Sequence, residues 1–270
     1  MKIPVALQLY SVRDDMANDF EGTLRAVAAM GYRGVEFAGL FDRTPAEVRA
    51  ICEKYYLAPI SAHVGIGDLV KDPEGVLGTY HAIGCRYVAI PSITREMLPG
   101  GSEFAETRDN IVKISRVAAD LGITLQYHNH DFEFENTDDG RHKLDALYES
   151  VPADLLKTQL DLCWVQVGGE DPASYLRKYT GRAPTAHFKD YAGAKGNGRL
   201  YKLIDRETEG EASTTFELRP LGEGSIDWPQ VVAAAYDAGV EWAIVEQDEP
   251  SMGKTPLELA EISLRYLESL

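Results

Sequence analysis

The chain has 270 residues, of which 44% are hydrophobic, and it carries a formal net charge of −16 at pH 7. This size and composition suit a globular protein with a large core, and the negative charge argues against nucleic acid as a partner, because a phosphate backbone repels an acidic surface. The three cysteines lack C-x-x-C spacing and favour a reducing compartment. No stretch approaches transmembrane length, so we expect a cytoplasmic protein without a membrane partner.

Helices and strands alternate along the chain. Four helical runs end at a glycine shortly before a strand begins, at Gly31, Gly84, Gly122 and Gly239. Glycine accepts the left-handed conformation that closes a helix, so each one marks a helix-to-strand junction. Strands are predicted near residues 5–10, 33–38, 58–64, 86–91, 123–130, 155–161, 184–189 and 242–247. Eight such units predict a single α/β domain over residues 1–270, a (β/α)8 TIM barrel. No G-x-G-x-x-G follows the first strand, which disfavours an open doubly wound sheet.

The segment after the seventh predicted strand is longer than one barrel unit requires. Two apolar runs within it, Leu200–Ile204 and Thr214–Leu218, flank a charged turn that contains glycine. They predict a β-hairpin inserted at about residues 195–220. Loops that follow barrel strands lie on the catalytic face. This hairpin could therefore cover a site there, and a simply solvated hairpin is the alternative.

Three predicted strands end in residue types that bind metals. Asp161, His187 and Glu246 end the sixth, seventh and eighth strands, and the carboxyl ends of parallel strands meet on one face of a barrel. Lys189 shares a face of its strand with His187 and could stabilise negative charge. Taken singly, Asp161 could be a helix N-cap and the other three could be structural or surface groups. One such residue at each consecutive strand end predicts a divalent metal site.

The end of the fifth predicted strand is unusually polar. Alternation places His128 and His130 on one side and Glu133 on the other, although a bend would mix the two sets. Buried ionisable groups are costly without a partner or a task, so we expect this cluster to be functional. Glu36 and His63, at the ends of the second and third strands, could contact substrate hydroxyls or could simply pack inside the barrel.

Six segments together resemble the xylose isomerase-like TIM barrel superfamily, and within it the sugar phosphate isomerase/epimerase branch. They are Leu7–Arg13, Tyr127–Phe134, Asp161–Trp164, His187–Asp190, Leu221–Trp228 and Val245–Asp248. The resemblance implies one divalent metal ion (manganese, magnesium, cobalt or zinc) bound by a Glu, an Asp, a His and a second Glu. Asp161, His187 and Glu246 match three of these ligands. The first Glu normally ends strand five, where this chain departs; Glu133 is the preferred fourth ligand and His128 is its rival.

The resemblance also implies an enzyme with a small carbohydrate substrate, and homo-oligomers are common in the superfamily. We expect a metal-dependent isomerase or epimerase that forms an enediolate from a sugar or polyol ketone. His128, His130 and Glu246 are its candidate acid–base groups, and Trp164 and Lys189 are candidate substrate contacts. Epimerases of this superfamily use two metal-binding glutamates as bases on opposite faces of the substrate. The departure at strand five therefore keeps open a lyase or dehydratase that performs β-elimination on a 3-keto sugar, a 3-keto glycoside or an inosose.

Two further hypotheses carry less weight. The superfamily includes a DNA-repair endonuclease, but the net charge of −16 opposes binding to DNA. A sugar-binding barrel without activity would keep metal affinity and show no turnover. A phosphorylated substrate is also disfavoured, because Gly222-Glu223-Gly224 places an acid where a phosphate site requires a donor.

Overall fold

The computed structural model describes residues 2–196 and 215–270, and eight parallel strands form the centre of the fold. These strands are β1 (Val5–Gln8), β2 (Gly34–Phe37), β3 (Ala58–Ala62), β4 (Tyr87–Ile90), β5 (Thr124–His128), β6 (Lys157–Asp161), β7 (Thr185–Phe188) and, after a short pair described below, β10 (Trp242–Val245). Their order is β3–β2–β1–β10–β7–β6–β5–β4. Backbone hydrogen bonds from Arg86 to Ile60 (3.1 Å) and from Val64 to Ala89 (3.0 Å) join β3 to β4. The sheet thus forms a nearly closed barrel, which confirms the predicted (β/α)8 fold.

Helices lie between the strands and cover the outside of the barrel. They are α1 (Arg13–Asn18), α2 (Phe20–Met30), α3 (Pro45–Tyr55), α4 (Ile66–Lys71), α5 (Pro73–Ile83), α6 (Phe104–Asp120), α7 (Lys143–Ser150), α8 (Leu162–Val167), α9 (Pro172–Lys178), α10 (Trp228–Ala238) and α11 (Pro256–Ser269). Gly31, Gly84 and Gly239 end α2, α5 and α10 in the left-handed conformation, and Gly122 follows α6 with a φ of 70°. The predicted junctions are therefore present. None of the described helices has the length and apolar character that crossing a bilayer requires.

The barrel interior has an apolar end and a polar end. Ala6, Ile60 and Ile244 form a small cluster that is separate from the main core between strands and helices. Closer to the carboxyl ends of the strands, the fully buried side chains are polar; they include Gln8, Glu36, Gln126, Gln159, Thr185 and His187. Because buried polar groups need partners, this end of the barrel is a hydrogen-bonded network rather than an apolar core.

The insertion after β7 differs in part from the prediction. An antiparallel pair, β8 (Asp190–Ala192) and β9 (Glu217–Arg219), aligns Asp190 with Arg219 and Ala192 with Glu217. The second predicted run, Thr214–Leu218, overlaps β9, whereas the first, Leu200–Ile204, lies outside the described residues. The described base of the insertion packs beside the barrel mouth, where the Phe216 ring stacks on Trp164 with centroids 5.6 Å apart.

Candidate metal centre

The carboxyl ends of β5, β6, β7 and β10 bring four buried side chains together. His128, Asp161, His187 and Glu246 each offer a ligand atom, and these atoms all lie within 4.8 Å of one another. Parallel pairing sets this geometry, because Asp161 is aligned with His187 between β6 and β7. Of the sequence candidates, the structure brings three predicted ligands together and adds the rival residue His128 as the fourth.

Two atoms of this cluster, one on Asp161 and one on His128, are suited to bind a metal ion. Asp161 caps α8 with one oxygen, Oδ1, which accepts from the backbone N–H groups of Cys163 (3.0 Å) and Trp164 (3.1 Å). Its other oxygen, Oδ2, faces two groups across the cluster, Lys189 Nζ at 3.2 Å and His128 Nε2 at 3.8 Å. A buried carboxylate oxygen beside an imidazole nitrogen is a pair of donor atoms that a divalent cation accepts. Asp161 is thus an N-cap and a candidate ligand at once.

The ionisation of the two histidines follows from their surroundings. Burial lowers the pKa of His128 well below its usual range, and His187, His63 and His130 lower it further. A neutral imidazole is the form that binds metals. Burial alone would lower the pKa of His187, but Glu36 and Glu246 outweigh it and raise that pKa to about 10. The ring joins both acids, with Nδ1 2.8 Å from Glu246 Oε2 and Nε2 2.6 Å from Glu36 Oε1.

Lys189 brings a buried positive charge to the same cluster. Its Nζ atom lies 2.8 Å from Glu246 Oε2, 3.2 Å from Asp161 Oδ2 and 3.1 Å from Asp248 Oδ1. Burial opposes the charged form, but the three carboxylates outweigh it and hold the pKa of Lys189 well above its usual value. The ammonium also lies 5.3 Å from the centroid of the Trp164 ring. Lys189 therefore stays charged beside the cluster.

A cavity of about 390 Å³ opens onto the cluster, and its size suits a small polar molecule. His63, His128, His130, Lys189 and Glu246 all line it, so five of the predicted site residues meet in one space. His130 lies beyond the end of β5, because that strand stops at His128 rather than reaching residue 130 as predicted. Tyr10 and Asp248 also line the cavity, and sequence reasoning gave them no role.

Three predicted contacts are placed differently. The prediction that Glu133 is a metal ligand disagrees with its position: after β5 the chain turns into a 3-10 helix, Phe132–Phe134, and Glu133 accepts from the Tyr127 hydroxyl (2.7 Å) and the His130 N–H (3.0 Å). Glu36 is fully buried and is not among the cavity-lining residues. Trp164 is 1% exposed; its ring packs against the Lys189 ammonium and does not line the cavity.

Comparison with known proteins agrees with this architecture. Residues 24–270 match the family model described as xylose isomerase-like TIM barrel. An inosose dehydratase from Clostridium beijerinckii is 26% identical over 273 residues, which covers 93% of this chain and 89% of that protein.

Two solved structures share the fold at low sequence identity. A sugar phosphate isomerase/epimerase from Parabacteroides distasonis superposes with a TM-score of 0.79 at 18% identity, covering 100% of this chain and 94% of that one. A probable 3-DHS dehydratase from Bacillus anthracis superposes with a TM-score of 0.73 at 13% identity, covering 98% and 99%. The relatives are enzymes, as this chain is, and the chain belongs to the xylose isomerase-like TIM barrel family.

Proposed function

We propose that this enzyme is a divalent-metal-dependent lyase that eliminates a β-hydroxyl or glycosyloxy group from a small polyhydroxylated ketone. The observation that carries the proposal is the composition of the cluster. It holds two histidines, an aspartate and a single glutamate, while Glu133 faces Tyr127. A pair of metal-binding glutamates that act on opposite faces of a substrate is therefore missing from the described residues, and that pair is the device implied for epimerases.

The cluster supplies metal ligands and proton-transfer groups, and Glu246 is proposed to act as both. His128, Asp161, His187 and Glu246 would hold the cation. When bound there, a divalent metal polarises a ketone oxygen and stabilises the enolate formed beside it. Glu246 is the proposed base that removes the C–H proton next to the carbonyl. Lys189, fixed 2.8 Å from Glu246, supplies positive charge to the developing anion.

The leaving group needs a proton as it departs. His130 lines the cavity and is the proposed acid, which protonates the oxygen that leaves with the electrons of the broken C–O bond. The net change is loss of water, or of an alcohol from a glycoside, and one new C=C bond. The proposed base Glu246 and the positive charge of Lys189 are neighbours, so both would act on the same face of the substrate. This arrangement suits elimination, whereas epimerisation requires a proton to return from the opposite face.

The substrate class follows from the cavity and the relatives. Among the described residues that line the cavity, Lys189 is the one Lys or Arg, and carboxylates already surround its charge. This supports an unphosphorylated carbohydrate such as a keto-cyclitol or a 3-keto glycoside, and the similarity to inosose dehydratases agrees with it. We take manganese as the first metal to test. Three buried free cysteines agree with the cytoplasmic location proposed here.

An isomerase or epimerase is the second candidate, because His63 and His130 also line the cavity and could return a proton from another side. Metal-loaded enzyme incubated in D2O with an inosose, a 3-keto glucoside and a ketohexose distinguishes the two. A lyase gives an unsaturated ketone that absorbs in the ultraviolet, and an epimerase gives a deuterated stereoisomer. If the metal-loaded enzyme turns over none of these ketones by elimination, the lyase proposal is wrong.

The metal site has its own test. Metal analysis of the purified enzyme is expected to find about one divalent ion per chain, and Asp161→Ala and His187→Ala are expected to lose most of it, because each removes a ligand. Full metal occupancy in both variants would contradict the site. Asp145→Asn is a matched control, because that carboxylate is buried among Tyr175, Tyr179 and Lys178, outside the cluster.

A further inference from the structure

A second set of imidazoles lies beside the metal cluster. His63, His128 and His187 offer nitrogen atoms within 4.8 Å of one another. The rings of His63 and His187 are stacked, with an interplanar angle of 6° and centroids 5.1 Å apart. Both Nε2 atoms face the same oxygen, Glu36 Oε1, at 3.2 Å and 2.6 Å, so this carboxylate lies where a second metal would have to bind and holds these two histidines.

Glu36 is enclosed by hydrogen-bond donors. Gln8 Nε2 donates to Oε1 at 2.7 Å and Gln159 Nε2 donates to Oε2 at 2.6 Å. The orientation of both amides is fixed, because Gln8 Oε1 accepts from the Tyr10 N–H at 3.0 Å and Gln159 Oε1 pairs with His63 Nε2 at 2.7 Å. Glu36 can therefore act only as an acceptor, and it is closed off from the cavity.

We propose that Glu36 is a positioning residue that fixes His187 so that Nδ1, rather than Nε2, is the atom offered to the metal. His187 is charged beside Glu36 and Glu246, so a metal ion binds it only by displacing one ring proton; the neutral imidazole that results has one N–H and one lone pair. The contact of 2.6 Å with Glu36 keeps the hydrogen on Nε2, which leaves the lone pair on Nδ1, the nitrogen that faces Glu246 Oε2 at 2.8 Å. A carboxylate behind a metal-binding histidine holds the ring orientation and raises the basicity of the ligand. This inference rests on the metal site of the proposed function.

Replacement of Glu36 by glutamine tests whether Glu36 positions His187, with the affinity for Mn²⁺ as the measured quantity. Glu36→Gln keeps the shape but replaces one acceptor oxygen by an N–H group among the donors Gln8, Gln159 and His187, so the carboxylate no longer holds the His187 ring. We expect the affinity for Mn²⁺, measured by competition with a chelator, to fall by about 10- to 100-fold. Asp145→Asn, which also neutralises a buried hydrogen-bonded carboxylate, is expected to keep the wild-type affinity.

The outcomes separate the two proposals. Equal Mn²⁺ affinity of Glu36→Gln and the wild-type enzyme would overturn the role of Glu36 and leave the metal site intact. A wild-type enzyme that binds no divalent metal would overturn the site itself and the inference with it. An equal loss of affinity in Asp145→Asn would indicate a general effect of removing a buried charge, and would also count against Glu36.

A second measurement does not depend on the folding of Glu36→Gln. The wild-type enzyme, labelled with ¹⁵N-histidine and loaded with diamagnetic Zn²⁺, is expected to show His187 protonated at Nε2 and coordinated through Nδ1 by imidazole ¹⁵N NMR. The His187 signals are assigned by their absence from His187→Gln. Coordination through Nε2 would overturn the proposal even if Glu36→Gln failed to fold.

Discussion

Glu133, in the 3-10 helix that follows β5, has a fully buried carboxyl group. The Tyr127 hydroxyl and the His130 N–H are its hydrogen-bond donors, and the Tyr148 hydroxyl of α7 donates to the Tyr127 carbonyl at 2.8 Å. Burial raises the pKa of Glu133 to about 8, although these two donors partly oppose the shift. The residue therefore joins the turn after β5 to the strand, and its carboxyl group loses its proton at a higher pH than that of an exposed glutamate.

This raised pKa predicts a loss of stability with rising pH. The unfolded chain loses the Glu133 proton near its ordinary pKa of 4.5, whereas the folded chain keeps it until about pH 8. Between these values the folded state holds more protons, so the free energy of unfolding falls as pH rises, in total by about 3–5 kcal/mol. Glu133→Gln lacks this titration. In urea unfolding at pH 5 and pH 9, the variant should gain stability relative to wild type at the higher pH.

The same variant checks the correction to the metal site. Glu133→Gln is expected to retain the wild-type metal content, because Glu133 lies outside the ligand cluster. Parallel pH profiles of unfolding in variant and wild type would contradict the buried-carboxyl argument, and a loss of bound metal would restore Glu133 as a ligand. Alternation along β5 already placed Glu133 opposite His128. The 3-10 helix that fixes this position depends on packing of Phe132 and Phe134, which the local pattern did not reveal.

At the scale of elements, Asp190 organises the segment that returns from the insertion to α10. Its carboxylate accepts from the backbone N–H groups of Gly222 (3.2 Å), Ser225 (3.0 Å) and Ile226 (3.3 Å) and from Trp228 Nε1 (2.7 Å). A Cβ atom at Gly224 would collide with this carboxylate, so the loop needs glycine there. The segment Leu221–Trp228, recognised in the sequence only through a resemblance, is thus a cradle for one buried acid.

Removal of the charge at this position should weaken the loop. Asp190→Asn turns an acceptor into a group that presents N–H to several backbone N–H donors, and we expect it to cost about 2–3 kcal/mol of unfolding free energy in urea titrations. Asp227→Asn is the control, since Asp227 is the exposed N-cap of α10 and asparagine caps equally well. Similar unfolding free energies for Asp190→Asn and the wild-type enzyme would show that the cradle adds no stability.

Local signals predicted the regular elements better than the insertion. A glycine with positive φ follows each of the four helices at which a junction was predicted. These junctions could be predicted because a left-handed residue at a helix end is usually glycine, which is visible in the sequence. β8 was not predicted, since the seventh strand was expected to end at residue 189 and Asp190–Ala192 follows it directly. Asp190–Ala192 forms a strand of its own because it pairs with the distant segment Glu217–Arg219. Such non-local pairing has no signature in the local sequence.

For the whole molecule, the barrel gathers acids from distant parts of the chain at one end. The carboxylates of Glu36, Asp161, Glu246 and Asp248 face the cationic groups of His187 and Lys189. The strand-end pattern predicted that Asp161, His187 and Glu246 would converge, because the direction of a strand sets the end of a parallel barrel at which its last residue lies. Which strand-five residue joins them depends on where that strand stops. The remaining excess of negative charge favours a bound cation in the folded state.

Metal binding should therefore stabilise the whole fold. A ligand that binds only the folded state at 100 times its Kd adds about 2.7 kcal/mol, which for a chain of this size raises Tm by roughly 5–10 °C. In calorimetry, the wild-type enzyme treated with a chelator should melt lower by this amount and recover when Mn²⁺ is added. Asp161→Asn should respond to neither treatment, because its Oδ2 no longer offers the cation a charged oxygen. Equal melting temperatures of the chelated and reloaded wild-type enzyme would contradict a metal centre that is formed by the folded barrel.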